Sequence, residues 1–337
     1  MDDFKVLELF SGIGGMHYAL KLSQIPGTVV AAADINTIAN DVYRHNHPDI
    51  KVLNNNIQKF TPEFIRTLNV NTILMSPPCQ PFTRVGNQMD VEDRRADPFV
   101  HICQILPELK CIDWILMENV KGFDTSKARE MFVESLRQSE FHYQEFILSP
   151  TQLGIPNSRH RYYCLARRSK AFTFASERIL TALPSADTLV PDVQQISQFI
   201  SSVDMANGLP LPDKVLQKYF SVLDICYPDS INSMCFTKAY THYAEGTGSV
   251  FCPLDRNAVD KCCRQLELFF DEKKSVDLLK SLQLRYFTPV EVSRLMCFPE
   301  NDFSFPEKIS NKSRYRLLGN SINVLVVSEL IKLLYED

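Results

Sequence analysis

The 337-residue sequence has one tryptophan, no Cys-x-x-Cys pair and no Cys/His cluster at zinc spacing. No structural zinc site, and no metal, is therefore expected. No apolar run approaches the roughly 18 residues that cross a bilayer, so no membrane partner is expected either. Positive charge is not in excess: Lys+Arg 36 against Asp+Glu 40 leaves a net charge of −4. That excludes a protein coating nucleic acid non-specifically and leaves room for a local basic groove. Internal repeats, low-complexity segments and an apolar leader after Met1 are absent as well. Ten cysteines without paired spacing read as free thiols in a reducing compartment. The expectation is a reduced, soluble, intracellular protein. What is present is an ordinary globular composition, 45% hydrophobic and 23% charged.

The first 168 residues alternate apolar strands with amphipathic helices. Strands are expected at Lys5 to Phe10, Thr28 to Ala33, Thr72 to Ser76 and Trp114 to Met117, with helices between them. This pattern predicts an α/β, doubly wound, mostly parallel sheet covered on both faces. Two further strands, His142 to Leu148 and Arg161 to Ala166, are close in sequence and read as antiparallel. Prolines at 184, 191, 210 and 212 then break up any long element. Residues 1–185, completed by 286–337, are expected to form the main domain, and 186–285 a smaller, irregular one. Tyr315 to Leu334 returns to helical spacing and is expected to pack back on the first sheet.

Leu9-Phe10-Ser11-Gly12-Ile13-Gly14-Gly15 lies where the first strand turns into a helix. Glycines there admit positive φ and close approach of a ligand, and the helix start offers free N–H groups. Asp34 ends the second strand, where a carboxylate can accept from two ribose hydroxyls. The Gly-x-Gly-Gly spacing and the lack of a second nucleotide-binding half favour adenosylmethionine over a dinucleotide. Asn56 and Ile57, at the end of a presumed third strand, read either as contacts to an adenine edge and face or as a polar loop residue and a core aliphatic.

Ser76-Pro77-Pro78-Cys79-Gln80-Pro81-Phe82 surrounds one cysteine with three prolines. Such a stiff mounting suits a nucleophile, because a shift of about 1 Å can cost on the order of 100-fold in rate. Glu118, after the Trp114 to Met117 strand, falls at the same sheet edge, as a site carboxylate or a solvated strand end. Residues 157–170 hold five Lys/Arg and no acid, the most basic stretch of the chain. Arg159 and Arg161 within it read as a phosphate or base clamp.

In order and spacing, Phe10 to Gly15, Ser76 to Phe82, Glu118 to Val120, Gln152 with Arg159-x-Arg161, and Arg316 to Asn323 resemble the motifs of cytosine-C5 methyltransferases. Cys235-Phe236-Thr237-Lys238-Ala239-Tyr240, with Glu245 to Ser249, resembles the small eukaryotic branch that methylates transfer RNA. The resemblance implies a Rossmann-like class I methyltransferase fold, S-adenosyl-L-methionine as cofactor, and residues 186–285 as a target-recognition domain. It implies methylation of cytosine C5 in the anticodon loop of aspartate tRNA, through a covalent adduct between Cys79 and C6. Glu118, Arg159 and Arg161 would complete the catalytic set. Phe10, Gly12, Ile13, Gly14, Gly15, Asp34, Ile35, Asn56, Ile57, Ser76, Asn320 and Ser321 would hold the cofactor. Pro78, Gln80, Arg84, Asn119, Gln152, Lys238 and Tyr240 would meet the anticodon stem-loop. A base in a loop is cheaper to extrude than one in a duplex, which favours tRNA with DNA as a weak partner; the alternatives are a DNA cytosine-5 methyltransferase and a non-catalytic nucleic-acid-binding relic.

Overall fold

The structure, a computed structural model, describes residues 2–78, 96–184, 192–201, 208–266 and 272–336. Seven strands form the main sheet: β1 (Phe4–Leu9), β2 (Gly27–Ala33), β3 (Lys51–Leu53), β4 (Thr72–Met75), β5 (Trp114–Val120), β6 (His142–Leu148) and β7 (Arg161–Arg167). Their order is β3-β2-β1-β4-β5-β7-β6. The first five run parallel, while β7 lies antiparallel between β5 and β6. The expected antiparallel pair is therefore present, with β7 inserted beside β5.

Two-residue alternation divides each central strand between two apolar layers. Leu7 and Leu9 of β1, Ile115 and Met117 of β5, and Tyr162 and Cys164 of β7 belong to one layer. Phe4 and Val6, Trp114 and Leu116, and Tyr163 and Leu165 belong to the other. Burial on both faces explains why these strands read as continuous apolar runs. The same alternation sends Glu118 to the face of Leu116, and Tyr163 and Arg161 to that face of β7.

Helices α1 (Gly15–Ser23), α2 (Thr37–Asn46), α3 (Pro62–Thr67), α4 (Asp97–Ile105) and α5 (Lys127–Gln138) connect the strands. The presumed third strand stops at Leu53; Asn56 instead caps a short 3-10 turn at Ile57–Lys59 with its side chain. A smaller four-stranded sheet follows, ordered β8 (Leu209–Pro210), β11 (Arg285–Tyr286), β10 (Val250–Phe251), β9 (Ile225–Cys226). With it come α6 (Asp213–Tyr219), α7 (Arg256–Leu266), α8 (Glu272–Lys280) and α9 (Pro289–Leu295). The apolar C-terminal stretch is two helices, α10 (Asn311–Gly319) and α11 (Val324–Glu336). α11 packs on α1, β5 and β7, so the chain returns to the first sheet. The strand order reverses between β1 and β4, where an open α/β sheet forms its binding crevice.

Candidate active site

At that crevice the turns after β1, β2, β4 and β5 and the loop before β7 enclose a cavity of about 490 Å³, closed by residues 317–322. Phe10 and Gly12 take left-handed φ of 54° and 53° after β1. A Cβ on Gly12 would have nothing within 4 Å, so the turn leaves room for a ligand where its side chain would stand. The Gly12 amide donates to Asp34 Oδ2 at 2.9 Å, and the Asn36 amide donates to Asp34 Oδ1 at 2.7 Å. Each oxygen keeps an accepting position. Ile35, 70% exposed, and the buried Ile57 add aliphatic faces to the lining. Carboxylate acceptors at the cavity edge and apolar faces for a flat ring fit an adenosyl group.

The other wall carries charged groups. Val120 pairs with Arg161 and Glu118 with Tyr163 across β5 and β7, so Arg161 is the diagonal neighbour of Glu118 on one face. Arg161 Nε lies 3.5 Å from Glu118 Oε1. Burial raises the Glu118 carboxyl above its ordinary range, against the opposing pull of Arg161 and Arg159. Arg159 is 3% exposed. Its Nη1 donates to Cys235 Sγ at 3.3 Å and Phe236 O at 3.2 Å, and its Nη2 to Gly319 O at 3.2 Å and Ser321 O. Four of its five N–H groups are thus used in joining two distant segments.

Of the residues expected at the cofactor, Phe10, Gly12, Ile13, Gly15, Asp34, Ile35, Asn56, Ile57, Ser76, Asn320 and Ser321 line the cavity. Gly14 does not; a Cβ there would meet His47 and Tyr43 of the α2 region. Asn56 spends its amide on Gln58, which narrows what it can offer an adenine edge. Pro78, Glu118, Arg159 and Arg161 also line the cavity. Cys79, Gln80 and Arg84 lie outside the described residues.

Four expected substrate contacts stand elsewhere. Asn119 is buried, donating to Pro77 O at 3.4 Å and accepting from the Val120 amide at 2.9 Å, so it tethers the proline segment. Gln152 closes a capping box with Ser149 and donates to Thr181 O at 2.6 Å, so both ends of its amide are committed to backbone. Tyr240 is buried among Phe236, Tyr286 and Tyr315, with its hydroxyl bonded to Ser249 O and the Phe287 amide, and offers no ring for stacking. Lys238 is exposed but outside the cavity lining. Sequence reasoning missed Cys235 as an acceptor for both arginines: its motif was visible, but no local pattern joins it to residues some 75 positions earlier.

The profile of the C-5 cytosine-specific DNA methylase family matches residues 4–336. The chain belongs to that family. This methylase is 51% identical to a tRNA (cytosine(38)-C(5))-methyltransferase of Spodoptera frugiperda, over 98% of this chain and 99% of the relative. It is 41% identical to the Homo sapiens protein of the same name, over the whole of both chains. Among solved structures, a mutant DNMT2 from Spodoptera frugiperda superimposes with a TM-score of 0.90 at 50% identity, covering 99% of this methylase and 100% of that chain. C5 methylases of this type use S-adenosylmethionine as methyl donor.

Proposed function

We propose that this protein methylates C5 of cytosine 38 in tRNA, the activity named for its relatives, with the cavity above as its active site. The observation that carries this reading is the single space shared by the Asp34–Ile57 wall and the Glu118–Arg161 wall, where donor and target base would meet. Asp34, Ile35, Ile57 and the Gly12 turn would hold adenosylmethionine, which supplies a methyl group made electrophilic by its sulfonium.

Cytosine C5 is a poor nucleophile on its own. Cys79, which follows the cavity-lining Pro78, would add its thiolate to C6 while Glu118 gives a proton to N3, leaving enamine character at C5. Burial suits Glu118 to this task by keeping it protonated to higher pH than an exposed carboxyl. Arg161, with N–H groups to spare, would steady the base or its phosphate; Arg159 would hold the wall. Product release needs loss of the C5 proton and departure of the Cys79 thiolate. Where tRNA is made and used, in nucleus and cytoplasm, is where this reading puts the protein.

Tritium transfer from labelled adenosylmethionine tests the proposal. Incorporation into tRNA should exceed that into duplex DNA, and Cys79→Ala should abolish it while calorimetry still detects cofactor binding. Preference for DNA would overturn the substrate, and full turnover by the alanine variant the mechanism.

A further inference from the structure

Glu118, Arg159, Arg161 and Cys235 form one cluster drawn from β5, the start of β7 and the segment between β9 and β10. It holds two guanidiniums and a single carboxyl. Cys235 Sγ accepts from Arg159 Nη1 at 3.3 Å and from Arg161 Nη2 at 3.5 Å, one bond from each arginine. We propose that Cys235 is a positioning residue whose sulfur is the counter-anion of both guanidiniums, fixing them in the wall and keeping them from drawing the proton off Glu118.

The surroundings favour an anionic sulfur. Burial raises the Cys235 thiol, yet Arg159 and Arg161 pull it below the ordinary thiol value overall. Seven other described cysteines move the other way because burial outweighs any cation acting on them: Cys103, Cys111, Cys164, Cys226, Cys252, Cys262 and Cys297. Among the described residues, the remaining ionisable groups facing the cluster are Tyr163 beside Glu118, and His160 and Lys121 near Arg161. None of these supplies a second anion at neutral pH. The segment carrying Cys235 is itself seated closely: a Cβ on Gly319 would fall 2.1 Å from Lys238 N. Arg159 bonds to both sides of that junction, so the sulfur sits where the smaller sheet's segment and the cofactor wall meet.

The consequence is a division of labour. With the sulfur charged, each guanidinium has an anion other than Glu118, and the carboxyl can remain a proton donor. Without it, Glu118 is the anion left to both cations among the described residues, and they favour its ionised form. This rests on the reading of Glu118 as the acid, and the experiment separates the two.

The pH dependence of kcat is measured with the full chain and tRNA for the wild type, Cys235→Ser, Cys235→Asp and Glu118→Gln. Melting temperature and adenosylmethionine affinity serve as folding controls. Cys235→Ser should move the alkaline limb down by about 1 pH unit and lower kcat roughly 10-fold. Cys235→Asp should return the limb to its wild-type place, a rescue that a packing role would not give. A serine profile superimposable on the wild type, or an aspartate profile matching serine, overturns the inference. Should the serine variant not fold, a displaced limb in Cys235→Asp overturns it and a retained limb supports it. Glu118→Gln should lose the alkaline limb; if it keeps it, the reading of Glu118 fails and takes the inference with it.

Discussion

Glu118 and Asp34 are carboxylates at the ends of parallel strands, and what each one faces decides what it can do. Glu118 faces cations inside an apolar wall; Asp34 faces two backbone amides at the rim of the cofactor space. A hydrogen bond to a charged group is worth about 1.5–3 kcal/mol. Asp34→Ala should therefore weaken adenosylmethionine binding by roughly 10-fold or more in calorimetry, with tRNA affinity unchanged. An unaltered cofactor affinity would remove Asp34 from the site. Asp34 was legible in the sequence because a carboxylate after a second parallel strand has few other uses. Tyr240 and Gln152 misled because a residue type suited to stacking or hydrogen bonding says nothing about whether its side chain is already engaged.

The glycine turn is supported from behind by a buried polar chain running from β1 through α1 to the end of α2. Tyr43 donates to Glu8 Oε2 at 2.7 Å, His17 Nδ1 lies 3.0 Å from the Tyr43 hydroxyl, and His17 stacks on His47 at 3.8 Å. Burial pushes Glu8 up to about 8, and holds His17 down to about 3 and His47 to about 4. The two histidines contribute stability above their unfolded value near 6.5, which is lost as the pH falls toward 4 and 3. Glu8 contributes stability below its unfolded value near 4.5, which is lost as the pH rises toward 8. Below about 6.5 the two histidines outweigh Glu8, and above it Glu8 is the one of these three still titrating. The melting temperature should peak near pH 6.5 and decline on both sides, and Glu8→Gln should flatten the alkaline decline. A second element-level device is Gly319, where an added Cβ would press on the backbone of Thr237 and Lys238. Gly319→Ala should cost about 1–3 kcal/mol, seen as a lower melting temperature, and it should lower activity by displacing Cys235.

Across the whole molecule the net charge is −4, so attraction to RNA must come from a local face. Arg161 and Lys121 flank His160 beside the cavity and supply its positive charge, and Lys238 adds an exposed cation after Cys235. With only a few phosphate contacts, tRNA affinity should fall roughly 10- to 100-fold between 50 and 200 mM salt, while adenosylmethionine affinity barely changes. A fluorescence-anisotropy titration at several salt concentrations checks this. An indifferent tRNA affinity would mean that recognition does not depend on this basic face.

Strand-to-helix alternation and the glycine turn were readable from the amino acids, because each expresses a local demand: two-sided burial and positive φ. Helix breaks and partners were not. Against the expectation that no apolar run approaches bilayer length, residues 311–335 carry an 18-residue window of mean hydropathy 1.6; only the fold divides the stretch into α10 and α11 so that residues 319–321 can close the cavity. The union of Arg159, Arg161, Glu118 and Cys235 also belongs to tertiary structure, since the register of β5 on β7 and the seating of a distant segment on Gly319 bring those charges together. Sequence chose the chemical groups; three-dimensional packing chose which of them neutralise one another.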